Sequence, residues 1–471
     1  MIFNSFEFIF LFLPITIIGY FTLNKFNNYN LSKIWLIVCS LYFYSYFNPW
    51  YLPIILISIL VNFFIASQLH KEKYKKNLKK TLFFCGILFN LFLLGYFKYY
   101  DFFINNINII FKSNLKILHI VLPLGISFFT FQQLSFLIDT YKNEETKYTF
   151  LNYCLFVTFF PQLVAGPIVL PKEMLPQFAD KEKKTINYNN MNKGLYLLAI
   201  GLVKKAFLAD TIAIFANAGF SLENLTFMDS WITSITYSLQ LYLDFSGYCD
   251  IAMGIALMFN ILLPLNFNSP YLSSNIKEFW NRWHMTLGRF LTTYIYIPLG
   301  GSKKGKITTL INLLFIFLIS GIWHGAGWTF IIWGLLHGLA MVIHRIWIYS
   351  GKKLNKFVGM ALTLFSINIF WVFFRAENIT SALNIVKSMF NFSSLSQGIS
   401  DNYFIASTPN LTMKIALIIS LTVVFLFPNS YKKLNNMKLN LFNSIEIITF
   451  LIIGILSISS NSNSTFLYFN F

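Results

Sequence analysis

The run GIWHGAGW, from Gly321 to Trp328, sets His324 among three glycines, an alanine and two tryptophans. An imidazole with a pKa near 6.5 can take or give a proton at neutral pH, which is what general acid–base catalysis needs. The small neighbours bring backbone close to whatever the ring faces. Trp323 and Trp328 add bulk on either side, and a second histidine, His284, ends the run RWH. Together they argue for a pocket. The competing reading for a histidine flanked by tryptophans is a hydrogen-bonded packing residue. Of the remaining histidines, His337 in WGLLHG is expected to make a helix-packing hydrogen bond, and His344, beside Arg345, to lie at an interface. His70 and His119 fall at the edges of apolar runs, solvated or interfacial.

Two carboxylates stand in the otherwise apolar run LYLDFSGYCDIAMG, at Asp244 and Asp250. Ionisable groups inside apolar spans are costly and are functional candidates for that reason. Six residues apart on a helix they are separated by about 240°, so they face different directions and do different jobs. Each has an alternative reading, pairing with a basic residue or a hydroxyl to lock helix packing.

The elements that must position these groups are membrane helices. Of 471 residues 56% are hydrophobic and 11% charged, less than half the roughly 25% charged content of a soluble domain. Mean hydropathy is +0.60. A soluble enzyme, a disordered chain and a disulfide scaffold are all disfavoured. The formal net charge of +18 would point to nucleic acid in a soluble protein. Here no basic stripe interleaves with aromatics on a polar segment, so no nucleic-acid partner is expected and the partner is the lipid bilayer. The lysines gather in short runs between apolar segments, as at Lys71, Lys73, Lys75, Lys76, Lys79 and Lys80, or Lys181, Lys183 and Lys184. This is the positive-inside pattern of cytoplasmic loops. Cys39, Cys85, Cys154 and Cys249 are scattered singly, without the spacing of a metal site or a disulfide framework.

Twelve spans are expected, near 2–22, 31–47, 51–69, 82–97, 118–138, 190–217, 231–261, 307–322, 327–349, 356–375, 411–428 and 441–459, with both termini outside. The first, without a basic n-region or a small-residue cleavage site, reads as a span rather than a removable signal. Pro161, Gln162, Gly166 and Pro167 in the apolar segment 153–171 would leave backbone groups unpaired in lipid, so that segment is expected to be re-entrant or buried in protein. Between Leu265 and Gly301, Trp280, Trp283, Leu287 and Phe290 recur at helical spacing beside charged residues, giving a half-buried helix pair. The run GGSKKGK that follows, with Lys303, Lys304 and Lys306, is a basic inside loop, which sets topology or attracts anionic phosphates.

With FFPQLVAGPIV, LYLDFSGYCDIAMG, FNSPYLSSNIKEFWNRWHMTLGRFLTTYIYIPLGG, GIWHGAGWTFIIWGLLHG and WVFFRA in this order, the sequence resembles the membrane-bound O-acyltransferase family, nearest its bacterial alginate and peptidoglycan O-acetyltransferase branch. The resemblance implies an all-α polytopic membrane protein, with about ten to twelve transmembrane helices plus re-entrant or half-membrane helices around a central tunnel. It implies a single membrane domain over 1–471, with a catalytic core at about 120–376 between amino-terminal spans (1–117) and carboxy-terminal spans (377–471). The invariant histidine of the family falls on His324 and the histidine of its RWH motif on His284. Many relatives carry a basic residue or histidine directly after the GPIV run, where this sequence has Leu170 and Pro171, so a contact made there is not carried over.

The activity implied is transfer of an acetyl group from a cytoplasmic thioester, acetyl-CoA, to a hydroxyl, for O-acetylation of a cell-wall or exopolysaccharide. His324 would act as general base and His284 would orient or polarise the donor carbonyl. Asp244, Asn281, Arg282, Trp323 and Trp328 are candidates to orient or contact substrate. No bound cofactor and no metal are expected. The implied partner is a periplasmic or extracellular transferase that passes the acyl group to polysaccharide, and the implied location is the bacterial cytoplasmic membrane. D-alanyl transfer to teichoic acids is the nearest alternative. A transporter or flippase would need an inverted repeat with paired broken helices, and the sequence shows none.

Overall fold

The computed structural model describes residues 1–71, 74–142, 148–435, 437, 440–460 and 466–467; Lys73 of the expected basic loop lies outside them. Among the described residues there are helices and no strands. Eight helices among the described residues are long and apolar enough to cross a bilayer, or nine if Asp401–Ser407 and Leu411–Leu426, bent by 93° to one another, make one span. The protein is therefore a multi-pass membrane protein. Three of the twelve expected spans, near 31–47, 118–138 and 190–217, are not among these eight or nine: Tyr29–Ser45 and Ile126–Tyr141 have 17 and 16 residues, and Tyr188–Leu202 has 15 before its helix widens. A crossing takes about 20. The second of these starts late because Gly125, at φ 69°, turns the chain immediately before it. The third runs into a π-helical stretch, Val203–Ala209, before Asp210–Ser221 continues.

The chain packs as two compact units, one of Met1–Ala199, Tyr248–Pro264 and Lys438–Ile447, the other of Ile200–Gly247, Leu265–Met437 and Ile448–Phe471. The expected catalytic core at 120–376 therefore draws on residues of both. In the first unit, the segment with Pro161 and Pro167 is a helix, Phe150–Thr158, a single turn, Phe160–Leu163, and irregular backbone up to the helix Pro171–Ala179. Residues 152–170 are all buried, so the broken backbone lies in protein, where it is tolerated.

In the second unit, Lys306–His324 and Trp328–Tyr349 form an antiparallel hairpin. Its open end is tied by Lys306, whose ammonium lies 5.2 Å from the centre of the Tyr349 ring. Near its closed end the helices touch backbone to backbone. A Cβ on Gly321 would come within 2.4 Å of the Phe330 carbonyl oxygen, and one on Gly334 within 2.4 Å of that of Phe317. The same unit buries a cluster of charge. Lys205 bonds Asp210 at 2.7 Å and Asp244 at 2.6 Å, and all three side chains are less than 10% exposed. The Leu467 N–H donates to Asp244 at 3.2 Å, and the Phe466 ring covers the Lys205 ammonium at 4.8 Å.

Two outcomes follow from this packing. Gly321→Ala forces backbone apart and is expected to destabilise the protein by about 1–3 kcal/mol. Gly95→Ala, with open space around the new Cβ, serves as the control in thermal unfolding of the purified protein in detergent. Asp244→Ala leaves Lys205 with half of its buried counter-charge and is expected to cost about 3–5 kcal/mol, read by the same unfolding measurement.

Candidate active site

His324 is the last residue of its helix, about 27 Å along the axis from Lys306. Gly325 and Gly327 then adopt extended backbone before the next helix starts at Trp328. The ring nitrogen Nδ1 lies 2.6 Å from the Ser320 carbonyl oxygen. A carbonyl only accepts, so in the neutral ring the proton sits on Nδ1 and Nε2 keeps the lone pair. Trp323, Trp333 and Phe374 stand around the imidazole with ring centres at 4.9, 4.8 and 5.5 Å. His324 is 3% exposed.

His284 lies 6.5 Å from His324, centre to centre. It is not on a continuous amphipathic helix. The expected helix pair is two short helices, Ile276–Arg282 and Met285–Leu291, and His284 is in the break between them at φ 44°, ψ 50°. Left-handed backbone costs a non-glycine residue on the order of 1–3 kcal/mol and persists only where its surroundings hold it. Asn266 does the holding. Its carbonyl oxygen accepts from the Met285 N–H at 3.0 Å. Its side-chain Oδ1 accepts from the Thr286 N–H at 3.2 Å, the Thr286 hydroxyl at 2.9 Å and His284 Nδ1 at 3.1 Å. The Thr286 N–H fixes the orientation of the amide, because a backbone donor cannot face the NH2 group. The neutral His284 ring therefore also carries its proton on Nδ1 and presents Nε2 as an acceptor.

The other expected site residues divide. Trp323 is buried at 5% exposure and packs against both imidazoles. Trp328 opens the following helix and is 53% exposed. Asp244 faces Lys205 and the Leu467 N–H, and among the described residues it meets no imidazole. Arg282 pairs with Glu278 at 2.7 Å. It lines a separate pocket with Asn429 and Lys432. Asn281 lines a pocket of about 460 Å³ that lies along the hairpin. Lys277, Arg289, His344 and Arg345 supply its cationic and polar lining, Met285, Leu287, Ile316, Phe317 and Met341 its apolar lining, and Ser320 borders it. Arg345 donates to Ser302 of the basic loop at 3.2 Å. The pocket thus includes the residue whose carbonyl holds His324.

Sequence reasoning passed over Asn266, Trp333 and Phe374, and placed Trp280 only in an apolar stripe. The Trp280 indole N–H donates to Nδ1 of His337 at 3.2 Å, which gives His337 the packing hydrogen bond expected of it. Trp333 is wholly buried, stacked on Trp371 at 5.7 Å. A signal for it was present: its neighbour Gly334 pairs with Gly321, three residues before His324.

The sequence model of the membrane-bound O-acyltransferase family matches residues 36–376. The chain is 43% identical to a peptidoglycan O-acetyltransferase of Helicobacter pylori, over 100% of this chain and 98% of the relative. It is 35% identical to a probable alginate O-acetylase of Pseudomonas aeruginosa, over 83% of this chain and 75% of the relative. A teichoic acid D-alanyltransferase of Streptococcus thermophilus is 26% identical over 50% of this chain and 59% of its own length. With this match over most of its length, and with buried histidines on a scaffold of apolar helices, the chain belongs to the membrane-bound O-acyltransferase family and is an O-acyltransferase.

Proposed function

We propose that the protein moves an acetyl group from acetyl-CoA, on the cytoplasmic side of a bacterial inner membrane, towards hydroxyls of an extracytoplasmic polysaccharide, with His324 as general base. The observation that carries this reading is the hydrogen bond from His324 Nδ1 to the Ser320 carbonyl. It leaves Nε2 as the basic nitrogen, in a site walled by aromatic rings. An alcohol is a poor nucleophile until its proton is removed. Nε2 takes that proton as the hydroxyl oxygen attacks the thioester carbonyl. The carbonyl reforms as the C–S bond breaks, and the proton on Nε2 is available to the departing thiolate. The Ser320 carbonyl stabilises the imidazolium that forms in between.

The hydrogen bond of His284 favours a different part from the polarising one. To donate to a developing oxyanion through Nε2, the ring would have to become imidazolium. Burial, and then the neighbouring His324, push its pKa well below the usual histidine range. A neutral His284 instead offers an acceptor at Nε2 and serves to orient a hydroxyl or thiol beside the base.

The pocket along the hairpin suits the donor. Its cations Lys277, Arg289 and Arg345 match the phosphates of coenzyme A, and its apolar lining matches the pantetheine arm. The acceptor is proposed from the relatives: those named for O-acetylation of peptidoglycan or alginate align over most or all of the chain, and those named for D-alanylation over about half. A periplasmic or extracellular transferase that hands the acetyl group on to the polysaccharide completes the proposal.

His324→Ala, inserted at normal abundance, is expected to lower acetyl transfer by about 10²–10⁴-fold. The measurement is the O-acetyl ester content of wall polymer from a complemented deletion strain; unchanged content would sink the base assignment. Loss of D-alanyl esters alone in the deletion strain would transfer the protein to the teichoic-acid reading. Arg345→Ala is expected to raise KM for acetyl-CoA about tenfold or more, through loss of a charged hydrogen bond, with little change in kcat. Steady-state kinetics of the purified protein in proteoliposomes measures both constants.

A further inference from the structure

The first unit contains a second pocket, of about 570 Å³, enclosed by the end of the first long helix and by residues 181–186. Its chemistry is two-sided. The helix Glu7–Lys25 is long and apolar enough to span the bilayer, and the pocket lies over its last turns. There Ile18 is 65% exposed and Phe21 lies beneath. At the end of the helix the lining turns cationic, with Lys25, Lys181 and Lys184.

Lys184 is the informative member. It is 4% exposed, and its ammonium donates to the Tyr20 hydroxyl at 3.1 Å while lying 5.6 Å from the centre of the same ring. Among the described residues, no carboxylate is within ion-pair distance of it. An ammonium has three N–H donors, and one neutral hydroxyl satisfies one of them. Burying a cation in that condition is costly. A second lysine stands close by: Lys33, 9% exposed and hydrogen-bonded to Asn152 at 2.7 Å. Burial first, and then the charge of Lys33, bring Lys184 down to about 8; Asp180 opposes this and Lys183 adds to it. Lys181 reaches over the Tyr29 ring at 5.7 Å, and Lys25 stands exposed in the last turn of the helix. The cations converge on a space with no carboxylate in its lining among the described residues, and one side of that space is apolar helix.

We propose that this pocket binds the phosphate headgroup of an anionic membrane lipid, with Lys181 and Lys184 as its charged ligands and the Ile18 face of the helix against its acyl chain. A phosphate oxygen supplies the acceptors that the Lys184 ammonium lacks. A basic pocket at the cytoplasmic end of a span is the usual setting for such headgroups, and Lys25 and Lys33 are on the side that the positive-inside pattern assigns to the cytoplasm.

The test is thermal unfolding of the purified full chain in detergent, with added phosphatidylglycerol, phosphatidylcholine or inorganic phosphate. Phosphatidylglycerol is expected to raise the melting temperature of the wild type and phosphatidylcholine to leave it unchanged. The double variant K181Q/K184Q is expected to lose the phosphatidylglycerol shift. If that variant fails to fold, K25Q/K181Q, which changes two exposed side chains, is expected to diminish the same shift. An equal shift in wild type and variants would overturn the proposal, as would equal stabilisation by phosphatidylcholine. A full shift with inorganic phosphate alone would assign the site to a soluble anion and overturn the lipid.

Discussion

Away from water, each polar group that the chain keeps among apolar helices has to find its partner in protein, and the candidate site is built on two such partnerships. His324 gives its Nδ1 proton to the Ser320 carbonyl, and His284 gives its own to the Asn266 side chain. Each bond does two things at once. It satisfies a buried donor, and it fixes which ring nitrogen keeps the lone pair. In water the two tautomers of a histidine exchange freely. Here both rings are held in the same form, with the lone pair on the ε nitrogen.

Both histidines sit where a helix stops. His324 ends the Lys306–His324 helix, and His284 occupies the break between two seven-residue helices. The surrounding rigidity comes from contacts with little tolerance: glycine against backbone in the hairpin, indole against indole at Trp333 and Trp371, and an asparagine that accepts three hydrogen bonds on one oxygen. A general base has to be within hydrogen-bond reach of the proton it removes, and under the proposed function the imidazole at the end of Lys306–His324 is only as well placed as the packing of the helix that carries it.

Much of this was legible in the sequence, for a reason that lies in its composition. In a chain so poor in charge, a histidine, aspartate or lysine among apolar residues stands out, as His324, His284 and Asp244 do. What each residue touches was much less legible. Asp244 is paired with Lys205, 39 positions earlier, and with a backbone N–H at 467; no periodicity links those positions. The stripe Trp280, Trp283, Leu287 and Phe290 kept its helical spacing across a backbone break, because the left-handed turn at His284 is imposed by Asn266, 18 residues away. Trp323 and Trp328 flank the histidine alike in sequence, but a change from helix to extended backbone separates them. Hydropathy measures apolar length and does not register a turn at Gly125 or a widened helix at 203–209, and so the breaks in the expected spans near 118–138 and 190–217 were not legible.

The Lys205–Asp244 cluster bears on how the protein is made. Its lysine and both aspartates leave the ribosome within about forty residues of one another, yet the N–H that completes Asp244 and the ring that covers Lys205 belong to residues 467 and 466. Synthesis places the charges in the membrane early and supplies the last of their partners some two hundred residues later. Throughout that interval the ion cluster of the second unit stands without the ring and the N–H that cover it in the finished fold.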